Sequence, residues 1–332
     1  MNAESALGRA IETGVPVESL ALYGRWWQLE LWLRQLAYVV LRSAWGSVWE
    51  TEVNKKAAKY AANDNLVHLV GPDQHDLLGY LDFGLLTSLI GDNWELFKPF
   101  LLERTVWDGR STEMKAIRNR VGHLRRAGTR DRDRVEHLLI DLEPGFRLAL
   151  GALSSTSVGT SKQRPSDPVL ADFISGELGG TCDHLRRKYG FDIELTISRM
   201  PWAEIPLAPK PIAGTAGLIW HLSIGGPDRF VYPSLLASML APVRDSVLYV
   251  FASSPFGAQV AVPAVDDGPE VARVLSFFAQ NYPSCTEPIE RVRSEVAEAW
   301  PGDLSSLDSR VLVEHLFAIG PAPNAPGTVF GV

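Results

Sequence analysis

The sequence predicts an N-terminal all-α helical bundle followed by a C-terminal α/β or α+β domain. Apolar residues in the first half recur every three or four positions, which is the spacing of one buried helix face. Several short segments of the second half alternate apolar and polar residues, as half-buried strands do. A polar stretch rich in Ser, Gly and Pro separates the halves. We therefore place the domains at residues 1–153 and 169–332, with a linker at 154–168.

Composition is typical of a globular protein. The chain has 332 residues, of which 46% are hydrophobic and 21% charged, so each half can bury a core of its own. Its two cysteines, Cys182 and Cys285, form no Cys-x-x-Cys pair, and no His-Glu-x-x-His occurs. We therefore expect no metal and no cofactor. The longest apolar stretch, residues 29–49, contains charges, so we expect a cytoplasmic protein without membrane contact.

The first half contains a series of predicted helices. The longest covers Val17–Glu50, because its apolar residues form one stripe: Leu22, Trp26, Leu29, Leu33, Leu36 and Val40. The remaining helices are predicted at 51–62, 75–90, 94–103, 111–127 and 131–153. The last of them should be broken or kinked at Pro144-Gly145. We call the helix over 111–127 the motif helix, since Ser111 can cap its start and Gly128 can end it.

The second half combines strands with helices. Strands are predicted at 192–200, 217–224, 247–252 and 258–265, and helices at 269–281 and 288–300. Residues 308–319 are predicted as a helix or a helix-to-strand segment. Many prolines in this half indicate loops or a surface shaped for binding.

The stretch Arg118–His123 gathers an arginine, an asparagine and a histidine within six residues. Arginine is a permanent cation suited to phosphate, and histidine can move a proton near neutral pH. The surrounding segment, residues 115–134, carries a charge of +6 although the whole chain carries −7. A basic patch on an acidic protein is a more specific footprint of a polyanionic partner than uniform basicity, and a solvated charged face is the alternative.

Helical geometry predicts which side chains of the motif helix are exposed. At 100° per residue, the buried stripe consists of Met114, Ile117, Val121 and Leu124. The opposite face carries Lys115, Asn119, Gly122 and Arg126. On the wheel Arg118 and His123 lie about 140° apart, so they flank this polar face without contacting each other, whereas Asn119 and His123 form an i,i+4 pair. The small Gly122 leaves room for a substrate or a second helix.

Arg-Asn-x-x-x-His on the penultimate helix of an all-α unit resembles the HEPN superfamily, whose ribonuclease members carry an Arg-x(4–6)-His motif. The similarity covers residues 17–153 and includes the Leu/Trp-rich first helix. It also includes the segment from Tyr80 to Ile90 with Asn93-Trp94, which is similar to a subgroup of toxins and phage-defence proteins.

The resemblance implies a metal-independent endoribonuclease that acts as a homodimer through the motif helix. His123 would be the general acid or base, Arg118 would neutralise phosphoryl charge, and Asn119 would orient His123 or bind phosphate. Glu30 would join this catalytic group with Arg34 beside it, since some HEPN nucleases place such an i,i+4 pair near the site. An ordinary helix-surface ion pair is the alternative. The cations expected to bind RNA are Arg34, Lys115, Arg120, Arg125 and Arg126, together with some of Arg130, Arg132 and Arg134.

The expected setting is a toxin or an antiviral effector of abortive infection. Its C-terminal half would sense a phage-derived trigger, respond to an antitoxin, or bring protomers together. Two other readings remain open. One is a non-catalytic HEPN-like module that binds RNA or a nucleotide. The other is a purely structural helical dimerisation domain that serves an unrecognised enzyme in the second half.

Overall fold

The structure, a computed structural model, describes residues 3–51, 53, 55–64, 77–123, 125–151, 164, 166–292 and 311–313. Helices fill its N-terminal part, and a mainly antiparallel sheet lies in its C-terminal part. The helices are α1 (Ala3–Glu12), α2 (Val17–Trp45), α3 (Lys55–Asp64), α4 (Phe83–Asp92), α5 (Trp94–Phe97), α6 (Arg104–Gly122), α7 (Asp131–Gly151), α8 (Pro168–Ser175), α9 (Glu177–Tyr189), α10 (Pro233–Leu240) and α11 (Gly268–Asn281). The strands are β1 (Asp192–Arg199), β2 (Leu218–Gly225), β3 (Arg229–Val231), β4 (Tyr249–Ser254), β5 (Gly257–Pro263), β6 (Thr286–Pro288) and β7 (Val311–Val313).

The chain divides into two compact units. The first contains the described residues of Met1–Tyr38 and Glu50–Ala149, and the second contains Val39–Trp49 and the described residues of Leu150–Pro323. The last turns of α2 therefore belong to the second unit, which the predicted boundary near residue 153 did not anticipate. Most of the predicted linker, 154–168, lies outside the described residues. Its end is folded, because buried Asp167 accepts hydrogen bonds from four backbone N–H groups: those of Val169, Leu170, Ile212 and Ala213.

The first unit is built around the apolar stripe of α2. All six predicted stripe residues are buried, including Leu22, Leu29 and Leu33 at 0% exposure. Trp26 packs edge-on against Phe83 of α4, with ring centroids 4.8 Å apart. Each fully buried side chain of this size stabilises the fold by roughly 1.5–3 kcal/mol relative to an exposed one. None of the described helices is long and apolar enough to cross a membrane.

The motif helix has different ends from those predicted. It corresponds to α6, which begins at Arg104 because the Glu103 carboxylate caps it by accepting a hydrogen bond from Thr105 N at 3.0 Å. Ser111, the predicted cap, is buried inside the helix. The preceding helix, predicted to reach Glu103, ends at Phe97, just before Pro99, which has no backbone N–H with which to continue the helical hydrogen bonds.

Two further helices differ from their predictions. The helix predicted over 75–90 begins at Phe83, where the Asp82 side chain accepts a hydrogen bond from Leu85 N at 2.9 Å. The helix predicted to break or kink at Pro144 is assigned without a break as α7. Buried Leu142 and Ala149 flank the proline, so packing holds both sides of it. At Gly145 an added Cβ would overlap the Phe100 carbonyl, so only glycine permits this close approach.

The second unit contains a five-stranded sheet in the order β1-β2-β5-β4-β7. Its neighbouring strands are antiparallel except for the parallel pair β4 and β7. Strands β3 and β6 form a separate two-stranded sheet. Helix α11 packs on β5, and α9 contacts both α11 and β1.

The four predicted strands of this unit are confirmed as β1, β2, β4 and β5, and each predicted end lies within two residues of the observed one. The helix predicted at 269–281 is confirmed as α11. The helix predicted at 288–300 is wrong at its start, where a strand and a short 3-10 turn (Ile289–Arg291) stand, and its remainder lies outside the described residues. Within the segment 308–319, residues 311–313 form strand β7. Helices α8, α9 and α10 and strand β3 were not predicted.

A buried ion pair joins the end of α2 to the rest of the second unit. The Arg42 guanidinium, 0% exposed, donates to both carboxylate oxygens of Asp266 at 3.2 and 2.7 Å and to the Asp245 carbonyl at 3.0 Å. Asp266 also accepts a hydrogen bond from Ser47 N at 2.8 Å. Gly46 has a φ of +60°, and a Cβ there would lie 2.3 Å from Oδ1 of Asp266, so this turn requires glycine.

Substituting Asp266→Ala should lower the free energy of unfolding by about 3–5 kcal/mol, because it leaves a buried guanidinium without a counter-charge. Urea unfolding followed by tryptophan fluorescence measures the loss. The double variant Arg42→Met/Asp266→Ala should recover part of it, since no charge then stays buried. Equal losses in the single and double variants would contradict this account.

Candidate functional site

The buried side of the motif helix matches the predicted stripe where the structure describes it. Met114 and Ile117 of α6 are 0% exposed and Val121 is half-buried, whereas Leu124 lies outside the described residues. On the other side the residues Lys115, Asn119 and Gly122 are all exposed. One face of α6 is thus anchored in the core, while the predicted polar face is open to a ligand.

The end of α6 changes the geometry predicted for His123. The helix stops at Gly122, and His123 is its exposed C-cap residue with φ −100° and ψ 18°. The wheel angle of about 140° and the i,i+4 pairing with Asn119 both assumed a helix that continues to residue 127. His123 instead stands at the end of the polar face, where the chain leaves the helix.

The Arg118 guanidinium extends toward this helix end. A Cβ added at Gly122 would lie 3.9 Å from its Nη1, an ordinary van der Waals contact. Arg118 therefore reaches one turn along the helix, to the residue that precedes His123. Because the side chain of Gly122 is absent, the space beside this guanidinium is open.

Acidic neighbours separate the cations of residues 115–134 into two groups. Three arginines form ion pairs within the first unit: Arg120 with Asp131, Arg132 with Glu136 and Arg134 with Glu113. Over the described part of the chain, the other five cations have no ion-pair partner: Lys115, Arg118, Arg125, Arg126 and Arg130. The second group keeps its charge available for an external anion.

Arg120 takes a structural position. Its Nε and Nη2 atoms donate to the two carboxylate oxygens of Asp131 at 2.8 and 2.6 Å. Asp131 is 3% exposed, begins α7 and also accepts a hydrogen bond from Gly128 N at 2.8 Å. This pair holds the chain in a turn between α6 and α7. Sequence reasoning missed Asp131, although an acid in the first turn of the following helix was visible.

Glu30 and Arg34 form the predicted i,i+4 pair, with Arg34 Nη2 2.7 Å from Glu30 Oε2. The other oxygen of Glu30 accepts a hydrogen bond from Trp26 Nε1 at 2.8 Å. The two charged side chains are only 13% and 20% exposed, so this is no ordinary surface pair. Trp26, Glu30 and Arg34 are spaced at i, i+4 and i+8, which could have revealed these two hydrogen bonds. From the sequence, however, Trp26 was predicted only as a core residue.

The first turn of α4 connects this pair with the motif helix. Arg34 Nη2 donates to the Leu81 carbonyl at 3.1 Å, and a Cβ placed on Gly84 would lie 4.0 Å from Lys115 Cε. Arg34 and Lys115 therefore contact the same short segment, residues 81–84. Among the described residues, no hydrogen bond or ion pair joins Glu30 or Arg34 to Arg118 or His123.

A serine–histidine pair in the second unit was also missed. Ser198 Oγ of β1 and His221 Nε2 of β2 lie 2.6 Å apart, a distance suited to a nucleophile and its base. Both side chains are buried, at 1% and 0% exposure, so a substrate has no access to them. No described residue hydrogen-bonds the His221 Nδ1 atom. The antiparallel register, in which Thr196 lies opposite His221 and Ser198 opposite Ile219, places both residues on one face of the sheet, where burial makes the pair structural.

Other reactive groups are buried. Burial raises the pKa of the Cys182 thiol to about 11, and it also raises the pKa of Cys285. A thiol with a raised pKa is a poor nucleophile at neutral pH. The described residues contain no cluster of three His, Cys, Asp or Glu side chains suited to a metal ion.

Comparison with known proteins adds no relative. No protein-family model, curated protein or solved structure matches this chain. The function therefore has to be inferred from its own residues.

Burial of His221 makes stability depend on pH. Burial lowers its pKa to about 3 from an ordinary value of 6.5, so the unfolded chain binds the proton more readily. The resulting stability is fully present above pH 6.5 and declines as the pH falls toward 3, at up to about 1.4 kcal/mol per pH unit. Urea unfolding between pH 7 and pH 4 should show a shallower decline in His221→Leu than in the parent protein.

Thr196→Val is the matched control for this measurement. Thr196 lies directly across from His221 on the neighbouring strand, is buried and does not titrate. Its replacement should leave the pH dependence unchanged. A His221→Leu profile parallel to that of the parent protein would show that another group causes the decline.

Proposed function

We propose that this protein is a metal-independent endoribonuclease of the HEPN type whose site lies at the end of α6. The observation that carries the proposal is the exposed face at the end of α6, where His123 caps the helix, the half-buried Arg118 extends its guanidinium toward Gly122, and neighbouring cations have no described ion-pair partner. Such a face can bind an RNA backbone and supply a proton donor or acceptor beside it. The resemblance of the Arg-Asn-x-x-x-His motif to HEPN ribonucleases supports the same chemistry.

In this mechanism His123 removes the proton from the ribose 2′-OH while water protonates the leaving 5′-oxygen, or His123 protonates the 5′-oxygen while water accepts the 2′-OH proton. The 2′-oxygen attacks the adjacent phosphorus, the bond to the 5′-oxygen breaks, and the products are a 2′,3′-cyclic phosphate and a 5′-OH. Arg118 stabilises the negative charge that grows on the phosphoryl oxygens. Asn119, exposed on the same face, binds phosphate or orients His123. DNA lacks the 2′-OH and should not be cleaved.

The remaining cations bind the RNA backbone in this proposal. Lys115, Arg125 and Arg126 are exposed and have no ion pair among the described residues, which supports this role. Arg120 shapes the turn before α7, because its guanidinium is already bound to Asp131. Glu30 acts as a positioning residue, since both of its oxygens are engaged by Trp26 and Arg34. Arg34, which is paired with Glu30 and bound to the Leu81 carbonyl, likewise acts as a positioning residue rather than as a free cation for the RNA backbone.

We further propose that two copies of the chain meet through the open side of α6. The absent side chain at Gly122 supports a close approach there, because among the described residues beyond its chain neighbours and the helix backbone only the Arg118 side chain would lie within 4 Å of a Cβ at that position. The toxin or abortive-infection setting, and its regulation by an antitoxin or a phage-derived trigger, rest on the family resemblance. A non-catalytic RNA-binding module is the second candidate, favoured by the lack of any described hydrogen bond that orients the His123 side chain.

Arg118→Ala and His123→Ala should each lower the rate of RNA cleavage by about 10²-fold or more, because each removes a group that acts in the transition state. Cleavage of a single-stranded RNA by the purified full-length protein, with and without EDTA, measures the effect. A DNA of the same base sequence tests the need for the 2′-OH. Chelation should leave the rate unchanged.

Two controls have the same residue types outside the proposed site. His137→Ala removes an exposed histidine of α7, and Arg134→Ala removes an arginine engaged by Glu113, so both should retain cleavage. If Arg118→Ala and His123→Ala cleave as fast as the parent protein, the nuclease proposal is wrong. RNA binding without cleavage by the parent protein would support the non-catalytic module instead.

Gly122→Ala tests the close approach over α6. Alanine favours helix, so the free energy of unfolding should stay the same or rise by up to about 1 kcal/mol, whereas cleavage should fall because the added methyl group obstructs the partner. Gly109→Ala is the matched control, since Gly109 lies in the same helix with no atom near its added Cβ. Gly109→Ala should change the free energy of unfolding by a similar amount and leave the rate of RNA cleavage unchanged. Full activity of Gly122→Ala would exclude a close contact there.

A further inference from the structure

An open cavity of about 780 Å³ lies in the second unit beside α9. One face of this helix lines it with Glu177, Thr181, His184 and Lys188, whose spacing of three or four residues places them in a row. Arg229 of β3, Gln280 of α11 and Ser284 add to the polar lining. The volume falls within the range of roughly 300–1,000 Å³ that is usual for small-molecule sites.

The two ends of the row differ in charge. Lys188 lies near the C-terminal end of α9, with Arg229 beside it. At the other end Glu177 is engaged, because its Oε1 accepts a hydrogen bond from Gln280 Nε2 at 2.9 Å. Eleven residues of helix separate Glu177 from Lys188, which corresponds to roughly 16 Å. The cavity therefore offers two cations at one end and neutral hydrogen-bonding groups with a single acid at the other.

Arg229 is held ready for an anion. Its Nε donates to Thr286 Oγ1 at 2.8 Å and its Nη2 donates to the Thr286 carbonyl at 3.0 Å. The guanidinium lies 5.2 Å from the ring centroid of Tyr189 and 5.9 Å from that of Phe191. The second terminal nitrogen, Nη1, has no hydrogen-bond partner among the described residues. A guanidinium immobilised in this way loses little conformational entropy when it binds a ligand.

Helix stability alone does not account for these cations. Arg186, Arg187 and Lys188 stand in the last turn of α9, where positive charge stabilises the helix dipole. Arg229 comes from a different element, yet it lines the same cavity. Neither Lys188 nor Arg229 has an ion-pair partner among the described residues, whereas Arg186 is paired with Asp183 at 3.0 Å. Two convergent cations without counter-charges favour an external anion.

We propose that this cavity binds a small phosphorylated molecule of nucleotide size. Its phosphate contacts Lys188 and Arg229, and its hydroxyl or ring groups contact Thr181, His184 and Gln280. A cavity of about 780 Å³ suits a small molecule better than a continuous RNA strand. The proposal is independent of the nuclease assignment, because it involves none of the residues assigned to RNA cleavage and its test measures binding alone.

Isothermal titration calorimetry on the full-length protein tests the proposal with four probes: inorganic phosphate, ribose 5-phosphate, AMP and adenosine. AMP or ribose 5-phosphate should bind saturably, with one molecule per chain. Inorganic phosphate should compete with whichever of the two binds. Adenosine, which lacks the phosphate, should bind at least about tenfold more weakly than AMP. The three phosphorylated probes distinguish recognition of phosphate alone from recognition of a sugar phosphate or a nucleotide.

Lys188→Gln should weaken the binding of the phosphorylated probe by about tenfold, since a hydrogen bond to a charged group is lost. Arg187→Gln is the matched control, because it removes one charge from the same helix turn outside the cavity lining. Lys188 is exposed, so its replacement should leave the melting temperature without ligand unchanged. Equal affinities in both variants, no binding of any phosphorylated probe, or Lys188-dependent binding of single-stranded RNA alone would each overturn the proposal.

Discussion

The ion pair between Arg120 and buried Asp131 determines how the candidate site is presented. Both carboxylate oxygens of Asp131 bind the guanidinium, and one of them also binds Gly128 N, so the chain turns from α6 into α7 at this point. The motif helix ends at Gly122, before this turn, and His123 is its exposed cap residue. A helix that continued to residue 127 would instead have kept His123 on its surface, across the polar face from Arg118.

The same internal acids decide which positive charges can meet RNA. Each arginine bound to a carboxylate of the first unit has most of its charge compensated before a ligand arrives. Arg134 is such a residue, whereas Arg118, Arg125 and Arg126 have no carboxylate within ion-pair distance among the described residues. The surface that can attract RNA is therefore smaller than the +6 charge of residues 115–134 suggests, because paired arginines contribute little to it. It is concentrated where the helix ends and the histidine stands.

Polar groups of the second unit play two contrasting roles. The sheet buries Ser198 and His221 so fully that the imidazole is kept neutral, which links that unit's stability to pH. The groove beside α9 leaves Lys188 and Arg229 accessible and without described counter-charges. Ser198 and His221 are closed off from ligands, whereas Lys188 and Arg229 can contact one. Similar side chains thus serve structure or binding according to their exposure.

Sequence by itself determined the order of a helical half and a strand-containing half, the buried stripe of α2 and the four main strands, because apolar periodicity is a local property of the chain. It also identified Arg118 and His123 as the residues with suitable chemistry. Only the tertiary structure decided where α6 ends, which cations are free, and that Arg42 and the last turns of α2 belong to the second unit. Those features depend on acids whose partners the local pattern does not specify. Asp266 and Arg42 are 224 positions apart, and Asp131 and Arg120 belong to different helices, so each pair meets only when the chain has folded.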